Sequence, residues 1–208
     1  MSLNQKILII DYDIGNISSI LNSINFLGYK NIKVSSSHKD INDADLLILP
    51  GVGAFKEAIK NIKKRHLDQI LNEVVITNKK PILGICVGMQ LISEGSEEGG
   101  WNDGLGWIKG KVKKFNLKDL FIPHVGWNDL RILSQNSIFS RLNENPDFYF
   151  DHSYYFETES LYVTSYCKYG IEFASSVQKD NIFGVQFHPE KSYKNGLKVF
   201  RNFFNIVE

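Results

Sequence analysis

The chain has 208 residues, 43% of them hydrophobic and 23% charged, with 24 basic against 23 acidic side chains for a net charge of +1. This is an ordinary globular composition, and it provides no broad field to draw the chain to nucleic acid or to an anionic membrane. Two cysteines, Cys86 and Cys167, are too few for a disulfide scaffold and fit a reducing, cytoplasmic setting; Met1 to Lys6 lacks a leader's basic-then-apolar pattern, and Ile7 to Ile10 falls far short of the roughly 20 apolar residues that span a bilayer.

The run Lys6-Ile7-Leu8-Ile9-Ile10-Asp11 reads as a parallel strand buried on both faces. Asn16 is placed to cap a helix over Ile17 to Leu27, and Gly28 supplies its stop. Asn31 to Ser35 and Asp45 to Leu49 are the next strands, the second ended by Pro50-Gly51-Val52-Gly53. Apolar spacing predicts a largely helical stretch from Phe55 to Asn78, then a strand over Pro81 to Ile85 and a helix opening at Val87 to Ser93. The alternation implies βαβ units and a mostly parallel sheet with helices on both faces.

After Gly99 the pattern changes. Trp107 to Val112, Phe148 to Phe156, Tyr162 to Tyr166, Ile171 to Val177 and Ile182 to Phe187 are aromatic and β-branched, as in antiparallel strands that extend the sheet or add a subsheet. Gly196 to Val207 closes the chain as an amphipathic helix. With no repeat and no linker, residues 1–208 read as a single domain.

The segment Gly84-Ile85-Cys86-Val87-Gly88 sits where a strand meets a helix. Most cysteines in reduced proteins are small buried apolar residues. A core cysteine, however, has no need of glycine two residues before and two after it. A strained nucleophile elbow does, because its backbone turns sharply and packs closely. Such a turn would lift the thiol above the sheet at a helix N-terminus, which favours thiolate. Cys167 lacks this setting and reads as structural.

Five histidines occur, at 38, 66, 124, 152 and 188, and none has a partner at metal-ligand spacing, so no metal site is expected. His188 ends an apolar strand and precedes Pro189, at a sheet rim where α/β proteins place their sites. Glu190, two residues on, would project to the same side of an extended segment and could orient the imidazole; otherwise it is a solvated charge. The Pro50–Gly53 loop is either an ordinary glycine turn or a set of backbone N–H donors for an oxyanion, with Val87 N–H as the second donor. It matches neither phosphate-binding glycine pattern.

Gly84-x-Cys86-x-Gly88-x-Gln90 and His188-Pro189-Glu190 resemble the signatures of the class I (triad-type) glutamine amidotransferases. Asp11-Tyr12-x-x-Gly15-Asn16, Pro50 to Gly53, Pro123-His124-Val125-Gly126-Trp127-Asn128 and Gln186 to Ser192 narrow the likeness to subunits serving histidine biosynthesis, and it spans essentially the whole chain. The resemblance implies a three-layer α/β sandwich with a flavodoxin-like core. It implies a Cys86–His188–Glu190 triad and a γ-glutamyl thioester, with an oxyanion held by Gly51, Val52 or Gly53 together with Val87. Gln90 and Glu98 would bind the amino-acid end of glutamine, Glu98 supplying the carboxylate its ammonium needs, and Ser153 and Tyr154 would hold its α-carboxylate.

It also implies a heterodimer with a (β/α)8 barrel cyclase that takes the ammonia, with Trp127, Asn128 and Lys191 at the interface, and no cofactor. A backbone flip in Pro50–Gly53 would switch the glutaminase on. Asp13, Asp151 and Ser93-Glu94-Gly95 depart from the commonest pattern. The alternative reading is a paralogous subunit supplying ammonia to amidate a surface-polysaccharide sugar.

Overall fold

The computed structural model describes residues 4–133 and 137–207; Met1, Ser2 and Leu3 of the leader test lie outside them. The elements are β1 (Ile7–Ile10), α1 (Ile17–Phe26), β2 (Ile32–Ser35), α2 (His38–Asp43), β3 (Leu46–Leu49), α3 (Phe55–Lys64), α4 (Leu67–Asn72), β4 (Ile82–Ile85), α5 (Val87–Leu91), β5 (Gly95–Ser96) and β6 (Asn102–Asp103). There follow β7 (Gly110–Lys114), β8 (His124–Asp129), β9 (Arg131–Ile132), β10 (Asp147–His152), β11 (Tyr154–Thr158), β12 (Val163–Tyr169), β13 (Ile171–Lys179), β14 (Ile182–Val185) and α6 (Tyr193–Phe204).

Strands β1, β3, β4 and β14 are buried at every position, which explains their unbroken apolar sequences. They form the middle of an eight-stranded sheet ordered β2-β1-β3-β4-β14-β13-β12-β9. The β2-to-β14 half is parallel, and β13, β12 and β9 extend it antiparallel. Strands β10 and β8 form a two-stranded ribbon, and β11-β7-β5-β6 a small separate sheet. The second half therefore both extends the sheet and adds subsheets.

Strand β14 pairs with β4 in the register Val185↔Ile85, and Cys86 N–H donates to Val185 O at 2.8 Å. Two residues about a hundred positions apart, Cys86 and His188, thus follow neighbouring parallel strands at their carboxyl ends, where such sheets hold ligands.

Several boundaries differ from the sequence reading. The helix expected over Phe55 to Asn78 breaks at His66, whose φ is 54°, and its last turn, Glu73–Thr77, is π-helical. The apolar spacing continues across that break, so periodicity alone does not reveal it. The strand expected over Phe148 to Phe156 is cut at Ser153: β10 pairs with β8, and β11 with β7. Trp107 and Ile108 are core residues ahead of β7 rather than strand, and Trp107 Nε1 donates to Asn72 Oδ1 at 2.8 Å. Asn16 stands at the start of α1 without a side-chain cap bond.

Candidate active site

Cys86 adopts φ 53° and ψ −110°, a conformation costing an L-residue roughly 1–3 kcal/mol. The flanking glycines explain why the turn is possible. A Cβ on Gly88 would lie 1.9 Å from Leu49 O, and one on Gly84 would lie 2.6 Å from Gly88 O. Any side chain there would drive α5 off the sheet. Helix α5 has only five residues, too few to build a large dipole at the sulfur.

Cys86 is only 3% exposed, yet it lines a cavity of about 240 Å³ together with Val52, Gly53, Glu98, Asp151, Tyr154 and His188. Its sulfur sits 4.0 Å from Asp151 O and accepts from Gln186 Nε2 at 3.6 Å. Cys167 is buried elsewhere, and that burial pushes its thiol up to about 12. A larger depression, of about 860 Å³, lies beside Trp127 and Tyr193 but carries neither thiol nor imidazole.

His188 Nδ1 is 2.8 Å from Glu190 Oε1, and the two side chains are 2% and 1% exposed. Glu190 is therefore not a solvated charge. Nor is the segment extended: Pro189–Lys191 is a 3₁₀ turn, and the turn swings the carboxylate back onto the ring. Burial works against the imidazolium, but the hydrogen bond and charge of Cys86, then those of Glu190, outweigh it and push His188 up to about 10. With Nδ1 committed to Glu190, Nε2 is the nitrogen left for chemistry at the sulfur.

The Pro50–Gly53 loop packs on the turn at Cys86. A Cβ on Gly51 would meet Gly88 N at 2.6 Å and Val87 Cβ at 2.7 Å, so Gly51 lies behind the site, while Val52 and Gly53 line it. Gly53 has φ +84° and open space around it. The Tyr12 hydroxyl donates to Pro50 O, anchoring the start of the loop. Burial, and then the Cys86 sulfur, raise the Tyr12 pKa, so the phenol stays a donor.

Gln90, Glu98, Ser153 and Tyr154 all border the inner part of the cavity with Cys86. Gln90 Nε2 donates to Tyr154 O at 3.1 Å and to Gln186 Oε1 at 3.0 Å. Both its amide protons are used inside the protein, so toward a ligand Gln90 can offer only its oxygen. Glu98 Oε2 accepts from Phe55 N–H at 2.8 Å, at the start of α3.

Of the expected interface residues, Trp127 stacks on Tyr193 with centroids 5.3 Å apart, and the Lys191 ammonium sits 5.1 Å over the Tyr149 ring. Asn128 Nδ2 donates to Lys168 O at 3.1 Å. The sequence reading gave no role to Tyr12 or Gln186. Both lie in quoted motifs at strand ends, and a buried polar residue at the rim was the available signal.

Among the described residues no group of three potential metal ligands occurs, and no helix is long and apolar enough to cross a membrane.

Residues 8–207 match the family model "Glutamine amidotransferase class-I". The chain is 50% identical to imidazole glycerol phosphate synthase subunit HisH 2 of Vibrio vulnificus, over 98% of this chain and 95% of that one. It is 48% identical to subunit HisH 1 of Campylobacter jejuni strain 81-176, over 96% and 100%. Its fold is similar to PurLQS from Thermotoga maritima (TM-score 0.72, 18% identity, 99% and 100% covered). It is also similar to the glutaminase domain of Trypanosoma brucei CTPS (TM-score 0.65, 16% identity, 96% and 93% covered).

Proposed function

The chain belongs to the class-I glutamine amidotransferase family and, within it, to the HisH subunits of imidazole glycerol phosphate synthase, and from that premise we propose how its residues act. Acting as one cytoplasmic domain over residues 1–208, it hydrolyses glutamine and passes the ammonia to a (β/α)8 barrel cyclase subunit. The cyclase makes imidazole glycerol phosphate and AICAR in histidine biosynthesis.

The Cys86 thiolate adds to the side-chain amide carbon of glutamine, and the carbonyl electron pair moves onto oxygen. Val87 N–H and an N–H from Val52 or Gly53 receive that oxyanion, with Gly51 setting the approach of the loop to the elbow. The His188 imidazolium gives its Nε2 proton to the departing nitrogen, and ammonia leaves. His188 then takes a proton from water, the hydroxide attacks the thioester carbon, and glutamate and the Cys86 thiolate are released. Glu190 fixes the ring and stabilises its charged form.

At the amino-acid end, the Gln90 oxygen and the Glu98 carboxylate are acceptors suited to the α-ammonium. Ser153 and Tyr154 hold the carboxylate. Trp127, Asn128 and Lys191 meet the cyclase.

The observation that carries this reading is the strained Cys86 beside a buried, Glu190-paired His188. The experiment is glutamate production with and without the barrel cyclase and its nucleotide ligand. Glutamate formed by the complex and lost in Cys86→Ala is the expected result. A complex that makes none, or a Cys86→Ala variant that still does, ends the proposal. Rescue of a histidine auxotroph separates this pathway from amidation of a surface sugar.

A further inference from the structure

Two buried histidines that the chemistry above does not use run back from the Cys86 cavity: His152 is part of its lining, and His124 packs against His152 outside that lining. His152 Nδ1 is 2.7 Å from Tyr154 O, and His124 Nδ1 is 3.1 Å from His152 Nε2. Asn128 Nδ2 is 3.3 Å from His124 Nε2. These contacts allow one arrangement of protons. A carbonyl can only accept, so His152 carries its proton on Nδ1 and presents a bare Nε2. His124 must then donate from its own Nδ1, leaving its Nε2 to accept from the Asn128 amide.

Both rings are neutral, as this chain of donors requires: burial pushes His124 down to about 4, and burial above all pushes His152 down to about 3. The His124 ring cannot easily turn. It is stacked on Tyr169 (centroids 4.0 Å apart) and on Phe150 (4.8 Å).

Tyr154 O is where two lines meet. It accepts from His152 on one side and from Gln90 Nε2 on the other. Gln90 also donates to Gln186 Oε1, and Gln186 Nε2 donates to the Cys86 sulfur. An unbroken run of hydrogen bonds therefore joins half-buried Asn128 on β8 to the nucleophile.

We propose that His124 and His152 are positioning residues for the reaction: a tautomer-locked relay through which Asn128 sets the Tyr154 carbonyl, and with it Gln90 and the glutamine pocket. The assignment of the ligand rests on the glutaminase reading above; the relay itself does not.

Two measurements test it. Two-bond proton–nitrogen correlation spectra of the full chain, with nitrogen-15 in its histidines, should show His124 and His152 neutral, each with Nδ1 protonated and Nε2 bare. In Asn128→Asp the outer donor becomes an acceptor. His124 must then protonate both nitrogens to keep its bond to His152, so its signal should become that of an imidazolium while His152 stays neutral. A ring protonated on Nε2 in the unaltered chain, or a His124 signal unmoved in Asn128→Asp, overturns the relay. Asn128→Asp also loses the bond to Lys168 O, so unchanged signals from the other histidines in the same spectra are the check that the fold is kept.

For function, His124→Phe, which changes the relay without changing a residue of the cavity lining, should raise KM for glutamine tenfold or more in the cyclase complex. Alkylation of Cys86 by iodoacetamide, which needs no glutamine pocket, should change less than threefold. An unchanged KM in a complex whose unaltered form is active refutes the positioning role and leaves the glutaminase reading intact. If the unaltered complex makes no glutamate, that reading fails, and the spectra still decide the relay.

Discussion

His188 Nδ1 and Glu190 Oε1 meet at 2.8 Å inside a turn that hides both groups from solvent. Charge and hydrogen bonding from Cys86 and Glu190 together hold His188 protonated up to about 10 against the opposing effect of burial. Removing the carboxylate's charge removes part of what raises that value, so the value must fall. In Glu190→Gln the alkaline limb of the glutaminase pH profile should move to lower pH, because the imidazolium proposed to protonate the departing amide nitrogen is lost sooner. The rate should drop by roughly 10²–10⁴-fold, as when the orienting acid of a related triad is neutralised. The check is kcat against pH for both proteins; a limb that stays in place refutes the coupling.

The same turn is braced from below. A Cβ on Gly196, in α6, would stand 1.8 Å from Pro189 O, which belongs to the backbone between His188 and Glu190. Backbone must shift to admit it. Gly196→Ala should therefore cost about 1–3 kcal/mol of stability by overpacking, lowering Tm by about 2–4 °C per kcal/mol. It should also lower kcat, although the substituted residue touches no substrate. Thermal denaturation and kcat measured together check this, and an active variant with unchanged Tm refutes it.

Tyr12 offers a cleaner handle on the oxyanion loop than the loop's own glycines. Gly51→Pro would appear to block a backbone flip, but the added carbons collide with Gly88 N and Val87 Cβ. Its effect would be on the elbow whether or not the loop moves. Tyr12→Phe removes only the hydroxyl that holds Pro50 O. Leaving that buried carbonyl unpaired costs about 1–3 kcal/mol. Cyclase-stimulated kcat should fall by on the order of tenfold with KM for glutamine nearly unchanged, the signature of a contact made in the transition state. Steady-state kinetics of the complex decide it, and a raised KM at constant kcat refutes it.

What the sequence revealed and what it hid divide along a physical line. The four central strands are legible because a strand covered on both faces must be apolar at every position. The tight turn at Cys86 is legible because close backbone approach admits only glycine at 84 and 88, and that leaves a mark in the sequence. Other features leave none. The break at Ser153 separates two stretches that are equally aromatic, and only their different partners, β8 and β7, distinguish them. Tyr12 contacts Pro50 across 38 positions and Gln186 contacts Cys86 across 100, so neither role follows from local pattern. Glu190 was legible as a partner of His188, but the 3₁₀ turn that brings it there was not.

The two cysteines should behave differently toward a glutamine-like electrophile. Cys86 lines the cavity beside His188, whereas Cys167 has its thiol pushed up to about 12 by burial and has no imidazole at hand. Nucleophilicity belongs to the thiolate. A diazo-ketone analogue of glutamine should label one site, and peptide mapping should find it at Cys86. Cys167→Ala should leave both labelling and glutaminase unchanged. Label recovered at Cys167 would mean that the amide-cleaving centre is misassigned.

The surface proposed to meet the cyclase can be probed at Trp127. Trp127, on β8, is 43% exposed, and it is stacked nearly parallel on Tyr193, at the start of α6, which is 78% exposed. Val125, two residues away on the same face of β8, is 53% exposed. Exposed rings grouped this way suit the docking role proposed for this surface. An aromatic anchor at the centre of such a surface carries about 2 kcal/mol or more, which is roughly a thirtyfold change in Kd. Because Trp127 packs on side chains rather than in the core, its removal should leave chain stability within about 1 kcal/mol. Trp127→Ala should therefore weaken binding of the barrel cyclase by thirtyfold or more in a calorimetric titration, with Tm of the isolated chain little changed. Lys191→Ala should weaken it less, and its effect should shrink as salt is added, since a charge that is only partly buried is still screened. Unaltered affinity in Trp127→Ala would put the docking face elsewhere on the molecule.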